Sequence, residues 1–249
     1  MQCNIGTVFS HELFTFPPRL FATEELLLAA DTKSELAKSF PSLEDPASSN
    51  RDDMKYVIDG GMLIHRITWK VGSSFTDICA SYVSFLSKYP QCTVVFDGYR
   101  NSTKDMAHKV RSKNLSCSNI TVELSTCLTV KKAQFLSNPG NKQRFIDLLS
   151  EYLIRSGFSC LNAQSDADVL ICRTAVTLLQ TKCNVTVVGD DTDLLVILID
   201  MTRNLSLNRW KILLSTKTNI YDLKSVITSL GVKGASSILL LHSFAGAIP

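Results

Sequence analysis

Asp59, Asp97, the pair Asp166 and Asp168, and the group Asp190-Asp191-Thr192-Asp193 are the residues of this chain whose type and spacing could do chemistry. Asp59, Asp97 and Asp190 each follow directly on an apolar, β-branched run or its terminal glycine. The runs are Val57-Ile58-Asp59-Gly60, Val94-Val95-Phe96-Asp97-Gly98 and Val187-Val188-Gly189-Asp190. Carboxylates gathered in one place repel one another unless a cation neutralises them, and hard oxygen donors suit Mg2+ or Mn2+. Two such ions a few ångströms apart activate water and stabilise the leaving oxygen of a phosphodiester. Any one of these aspartates also fits a helix N-cap or a turn, and Asp166 and Asp168 suit the positive end of a helix dipole. The recurrence of the pattern points to metal: Asp59, Asp97, Asp168, Asp191 and Asp193 are read as catalytic carboxylates, with Asp166 and Asp190 as further metal ligands and Asp190 able to stand in for Asp191.

A basic stretch follows the second aspartate. Arg100, Lys104, Lys109, Arg111 and Lys113 are spaced through a segment with few apolar anchors, as a solvated face or a phosphate-binding surface would be. Beside an acidic metal site, Lys104 and Arg111 are the strongest candidates for holding a nucleic-acid backbone. His65 and His108 lack partners at metal-ligand spacing; His65 is read as a packing or capping residue, and His242, on an apolar helix, is read the same way.

The elements that must position these groups follow from the hydrophobic pattern. Residues 55–59 and 93–96 read as buried parallel strands, and the apolar spacing over 75–86 predicts a crossover helix between them. Glycines after the first strand suggest a tight loop. A helix over 143–155 stopped by Gly157, a strand over 158–163, and a helix from Ser165 or Asp166 to about 182 come next. A strand over 184–188, a strand over 210–214 and helices over 222–230 and 236–244 complete the series. Strands alternating with helices predict a three-layer α/β/α domain with a mainly parallel sheet, in which strand-end residues share one edge.

With 249 residues and 45% apolar content, the chain can form one large domain with its own core. Residues 1–53 read as an irregular lead-in containing one possible helix over 24–38, and 54–249 as the domain. A net charge of +3 is mild and by itself supports neither a histone-like nucleic-acid binder nor an acidic tail protein. Eight cysteines without a Cys-x-x-Cys pair read as reduced thiols. No signal peptide and no apolar run of about 20 residues is evident, so an intracellular protein with no membrane partner is expected, nuclear or cytoplasmic alike.

These pieces, in this order, resemble the PIN-like nuclease superfamily in its flap-endonuclease and XPG-like branch, over roughly residues 55–246. The most specific match is Val95-Phe96-Asp97-Gly98 with basic residues downstream. The chain is similar in more detail to a group of animal proteins of transposon-like distribution, through Ser10-His11-Glu12-Leu13, Phe96-Asp97-Gly98-Tyr99 and Ser102-Thr103-Lys104-Asp105. That group carries a late aspartate where Ile248 stands here. The resemblance implies a Mg2+- or Mn2+-dependent nuclease core acting on DNA or RNA, truncated before the helical DNA-binding segment of flap endonucleases, with the second of two ion sites short of a ligand. The alternative is a catalytically degenerate module of the same fold that binds nucleic acid or protein without cleaving.

Overall fold

The computed structural model describes residues 21–23, 26–27, 37, 40–43, 54–98, 117–164 and 166–246. Two short strands, β1 (Phe21–Thr23) and β2 (Leu26–Leu27), pair antiparallel. Leu26 and Leu27 are therefore strand where the sequence predicts a helix over 24–38; cross-strand pairing overrides a weak local propensity. The main series follows as β3 (Met54–Asp59), α1 (Gly60–Arg66), α2 (Phe75–Leu86), β4 (Cys92–Phe96), α3 (Lys132–Leu136), α4 (Pro139–Arg155), β5 (Ser159–Asn162), α5 (Asp168–Gln180), β6 (Asn184–Val188), α6 (Thr192–Thr202), β7 (Ile212–Ser215), β8 (Ile220–Asp222) and α7 (Leu223–Gly246).

The six-stranded sheet has the order β5-β4-β3-β6-β7-β8. All neighbours are parallel except β7 and β8, which are antiparallel. Alternate strand residues feed two cores. Met54, Tyr56, Ile58, Val94 and Phe96 face α1, α2 and α4, where Trp69, Phe75, Tyr82, Phe135 and Phe145 form an aromatic cluster. Val57, Val95, Val185, Val187, Ile212 and Leu214 face α5, α6 and α7. This is the expected three-layer α/β/α arrangement, and burial on both faces explains why the strands read as continuous apolar runs rather than alternating ones. The polar tips inside the aromatic cluster are satisfied: Trp69 Nε1–H donates to Tyr82 Oη at 2.9 Å, and Tyr82 donates to the Ile64 carbonyl at 2.8 Å. All seven described cysteines are free thiols.

Several expectations need correction. The tight loop expected after β3 is helix α1, which starts at Gly60 with Asp59 as its N-cap. No side chain fits at Gly60, where a Cβ would lie 2.3 Å from Phe96 Cδ1 and 2.7 Å from the Val95 carbonyl oxygen. The start of α1 is thus pressed onto β4. A Gly60→Ala variant is expected to lose about 1–3 kcal/mol by overpacking, read as a lower urea midpoint; an unchanged midpoint would mean that β4 yields. Helix α4 begins four residues early, because Asn138 caps it through the Asn141 amide and Pro139 occupies its first turn. The cap of α5 is Ala167, neither Ser165, which lies outside the described residues, nor Asp166.

The two helices expected after residue 222 are both present and meet at Gly231, whose non-helical backbone (φ 65°, ψ 172°) forms the kink between them; together they make up α7. Its Leu223–His242 stretch is 20 residues long and, by length and composition alone, apolar enough to cross a membrane, which corrects the expectation that no such run exists. The bend divides it, and Leu223, Val226, Ala235 and Ile238 are buried in the second core. Phe40 is buried in that core, and the Leu43 amide donates to the Ile220 carbonyl at 2.7 Å beside β8.

Candidate metal centre

The chain winds outward from β3 through β4 to β5 on one side and from β6 to β7 on the other. The crevice between the carboxyl ends of β3 and β6 is therefore the place where loops part and a ligand can enter. Asp59 closes β3 and Gly189 follows β6, so the strand-end carboxylates meet there.

Asp59 is held by two tasks. Its Oδ1 accepts the Gly61 amide at 2.8 Å, capping α1. Burial is the largest influence on its acidity and pushes the carboxyl up to about 6; the charges of Asp97 and Asp191 push the same way, against the amides of Met62 and Gly61. Asp97 is beside it: the point where a Cβ of Gly61 would lie is 3.2 Å from Asp59 Oδ1 and 3.5 Å from Asp97 Oδ2. Gly189 lets β6 approach closely, since a Cβ there would be 3.3 Å from Asp59 Cβ.

Asp97 also reaches across to the other half of the site. Its Oδ1 accepts the Ala167 amide at 2.9 Å, which fixes the start of α5 and hence Asp168, the first residue of that helix. Asp166 is exposed and turns its Oδ1 to the Asp168 amide at 3.2 Å. Asp191 caps α6, accepting the Asp193 amide at 3.0 Å, and Asp193 occupies the first turn. The result is a cluster in which Asp168, Asp191 and Asp193 each offer an oxygen within 4.8 Å of the others. For Asp59 and Asp191 the capping and metal-binding readings are therefore not alternatives, because a carboxylate that caps a helix with one oxygen can accept from more than one partner.

Asp190 is used differently. Both of its oxygens accept from Arg66 Nη2, at 2.8 and 2.9 Å, and Oδ1 also accepts the Lys217 amide at 2.7 Å. It stands outside the close cluster, as does Asp166. Because the Arg66 and Asp190 side chains are 28% and 41% exposed, their ion pair is screened. Arg66→Ala is expected to cost less than about 1 kcal/mol by chemical denaturation; a loss of several kcal/mol would show that this pair anchors the β6 exit.

His242, which its apolar helix suggests as a packing or capping residue, is brought into the site: its Nε2 lies 2.5 Å from Asp193 Oδ1. No spacing rule could have found this contact, since the two residues are 49 positions apart. The basic run Arg100, Lys104, Lys109, Arg111 and Lys113 lies outside the described residues.

The donor chemistry of the cluster fits a hard divalent cation. Three carboxylates converge within ligand-sharing distance and two more adjoin them; the Asp59 carboxyl is pushed up first by its own burial and further by the charges of Asp97 and Asp191.

No protein-family model matches the sequence, and a comparison with curated proteins finds no match. Solved structures with a similar course of chain include a T5 5′-exonuclease mutant (14% identity, TM-score 0.42, covering 76% of this chain and 61% of that one). The catalytic core of Rad2 in complex with DNA substrate is another (16% identity, TM-score 0.46, 79% and 55%). A third is the Holliday junction-resolving enzyme GEN1 in complex with product DNA and a Mg2+ ion (13% identity, TM-score 0.37, 70% and 34%). This chain spans 61%, 55% and 34% of their respective lengths.

Proposed function

We propose that this chain hydrolyses phosphodiester bonds in nucleic acid with the help of divalent metal ions, Mg2+ or Mn2+. The observation that carries the reading is the convergence of Asp168, Asp191 and Asp193 within 4.8 Å at the switch point of a parallel sheet, beside Asp59 and Asp97. Asp168, Asp191 and Asp193 would hold one ion, and Asp59 and Asp97 would contribute to a second. Such ions, when bound, activate water for attack at neutral pH and neutralise charge on the phosphate oxygens.

The protein's own part is placement. Asp97 ties the start of α5 to the end of β4 and so keeps Asp168 opposite the Asp191-Thr192-Asp193 turn. Glycines at 61 and 189 keep Cβ atoms out of the space around Asp59. Asp190, drawn aside by Arg66, belongs to the wall of the site and not to its ligand set in this proposal. The basic residues Arg100, Lys104, Lys109, Arg111 and Lys113, which follow the Asp97 strand end in sequence, would supply backbone contacts that carry no sequence preference.

The test is incubation of the protein with labelled single-stranded, flap and hairpin oligonucleotides, as DNA and as RNA, in Mn2+, in Mg2+ and in EDTA. Cleavage in the presence of an ion and none in EDTA is the expected result. Retention of oligonucleotide without cleavage under any ion would replace the enzyme by a binding module of the same fold.

A further inference from the structure

The burial order along the last turns of α7 is inverted. Leu239, Leu240 and Leu241 are 43%, 59% and 60% exposed, while the next residue, His242, keeps only 11% of its side chain accessible and directs Nε2 to Asp193. Apolar side chains ordinarily take the buried positions. Here a helix leaves three leucines outside and turns its imidazole toward carboxylates. Ala235 and Ile238, 2% and 3% exposed, anchor this part of α7 in the second core alongside α6, so the histidine is delivered by packing and not by a free chain end.

We propose that His242 is a nitrogen ligand to the cation held by Asp168, Asp191 and Asp193, and that it biases this site toward Mn2+ and away from Mg2+. The inference rests on the metal-centre reading above and deepens it. Two donors bound at right angles to one ion at about 2.1 Å lie about 3 Å apart. Nε2 and Asp193 Oδ1 are already 2.5 Å apart, so a shared ion needs only a small separation of the pair. Asp193 thus has a nitrogen beside its Oδ1 and shares the carboxylate cluster with Asp168 and Asp191. His242 itself stands outside the group whose ligand atoms all lie within 4.8 Å of one another, so joining the ion requires the imidazole to shift toward Asp168 and Asp191. Imidazole nitrogen suits transition ions, whereas Mg2+ favours an all-oxygen octahedron with retained waters. A mixed carboxylate and imidazole set therefore discriminates between them.

The experiment uses the full chain with Mn2+ and Mg2+ as probes, in the wild type, Asp191→Asn, His242→Ala and His242→Gln. Glutamine retains a donor for Asp193 but carries no imidazole nitrogen, so it rescues a merely structural hydrogen bond and not a ligand. Pulsed electron paramagnetic resonance of bound Mn2+ is expected to show imidazole 14N coupling in the wild type and to lose it in both His242 variants. By titration calorimetry, Mn2+ affinity should fall about tenfold or more in both, with Mg2+ affinity changed far less. Bound Mn2+ without 14N coupling in the wild type, coupling that persists in both variants, or equal weakening of Mn2+ and Mg2+ would overturn the assignment of His242 while leaving the carboxylate centre in place. Failure of the wild type to bind Mn2+ at all would remove the centre itself, and the proposed activity with it.

Discussion

Asp191→Asn is expected to lower metal-dependent phosphodiester cleavage by on the order of 100-fold or more, the loss typical when one charge that stabilises a transition state is removed. The fold should survive the change. Asparagine is as good an N-cap as aspartate, so its oxygen can still accept the Asp193 amide that Asp191 takes at 3.0 Å. What disappears is one negative charge in a cluster where Asp168, Asp191 and Asp193 share space within 4.8 Å. The neighbouring Asp190→Asn is the internal control. Its carboxylate is committed to Arg66 and the Lys217 amide, so its replacement should change the cleavage rate by a few-fold at most. Single-turnover rates on one oligonucleotide in Mn2+ measure both. Equal losses at 190 and 191 would show that the division of labour between these adjacent aspartates is wrong.

How the sequence reports on this structure follows from the range of each interaction. The strands ending in Asp59 and Asp97, and the strand leading into Gly189-Asp190-Asp191, are legible because a β-branched run and its terminal Asp or Gly lie within a few residues, and a parallel sheet puts all such ends at one edge. Helix α2 is legible for the same reason, its apolar face repeating within two turns. Partition among the aspartates is not legible. Arg66 meets Asp190 across 124 positions and Asp97 meets the Ala167 amide across 70, and no local pattern encodes either. His242 is hidden twice, by its distance from Asp193 and by exposed leucines that make its helix look ordinary. Short elements escape as well: α3 has five residues and β8 three, too few to show a period.

Asp59 connects the chemistry of the site to the stability of the fold. Its carboxyl is raised by burial from 3.8 to about 6 in the folded protein, so the folded state holds a proton that the unfolded chain releases. The stabilisation from that proton is fully present below pH 3.8 and is lost as the pH rises through 6. Above that point the folded protein carries a buried, crowded charge at a cost of up to about 3 kcal/mol. Asp59→Asn removes this charge. The single amide oxygen still serves the Gly61 N–H but gives up the Met62 amide, which offsets the gain by about 1 kcal/mol. In EDTA the variant is therefore expected to be more stable than the wild type by about 1–2 kcal/mol at pH 8, with the advantage fading toward pH 4. Urea midpoints across that range measure it, and an advantage independent of pH would exclude Asp59 ionisation as the cause. Adding Mn2+ at pH 8 should return stability to the wild type and much less to the variant, because cations offset the charge that burial penalises. The same carboxylate that weakens the empty fold is then the one that binding repays, and a variant that is more stable and binds the ion less is what a functional site built at the expense of stability requires.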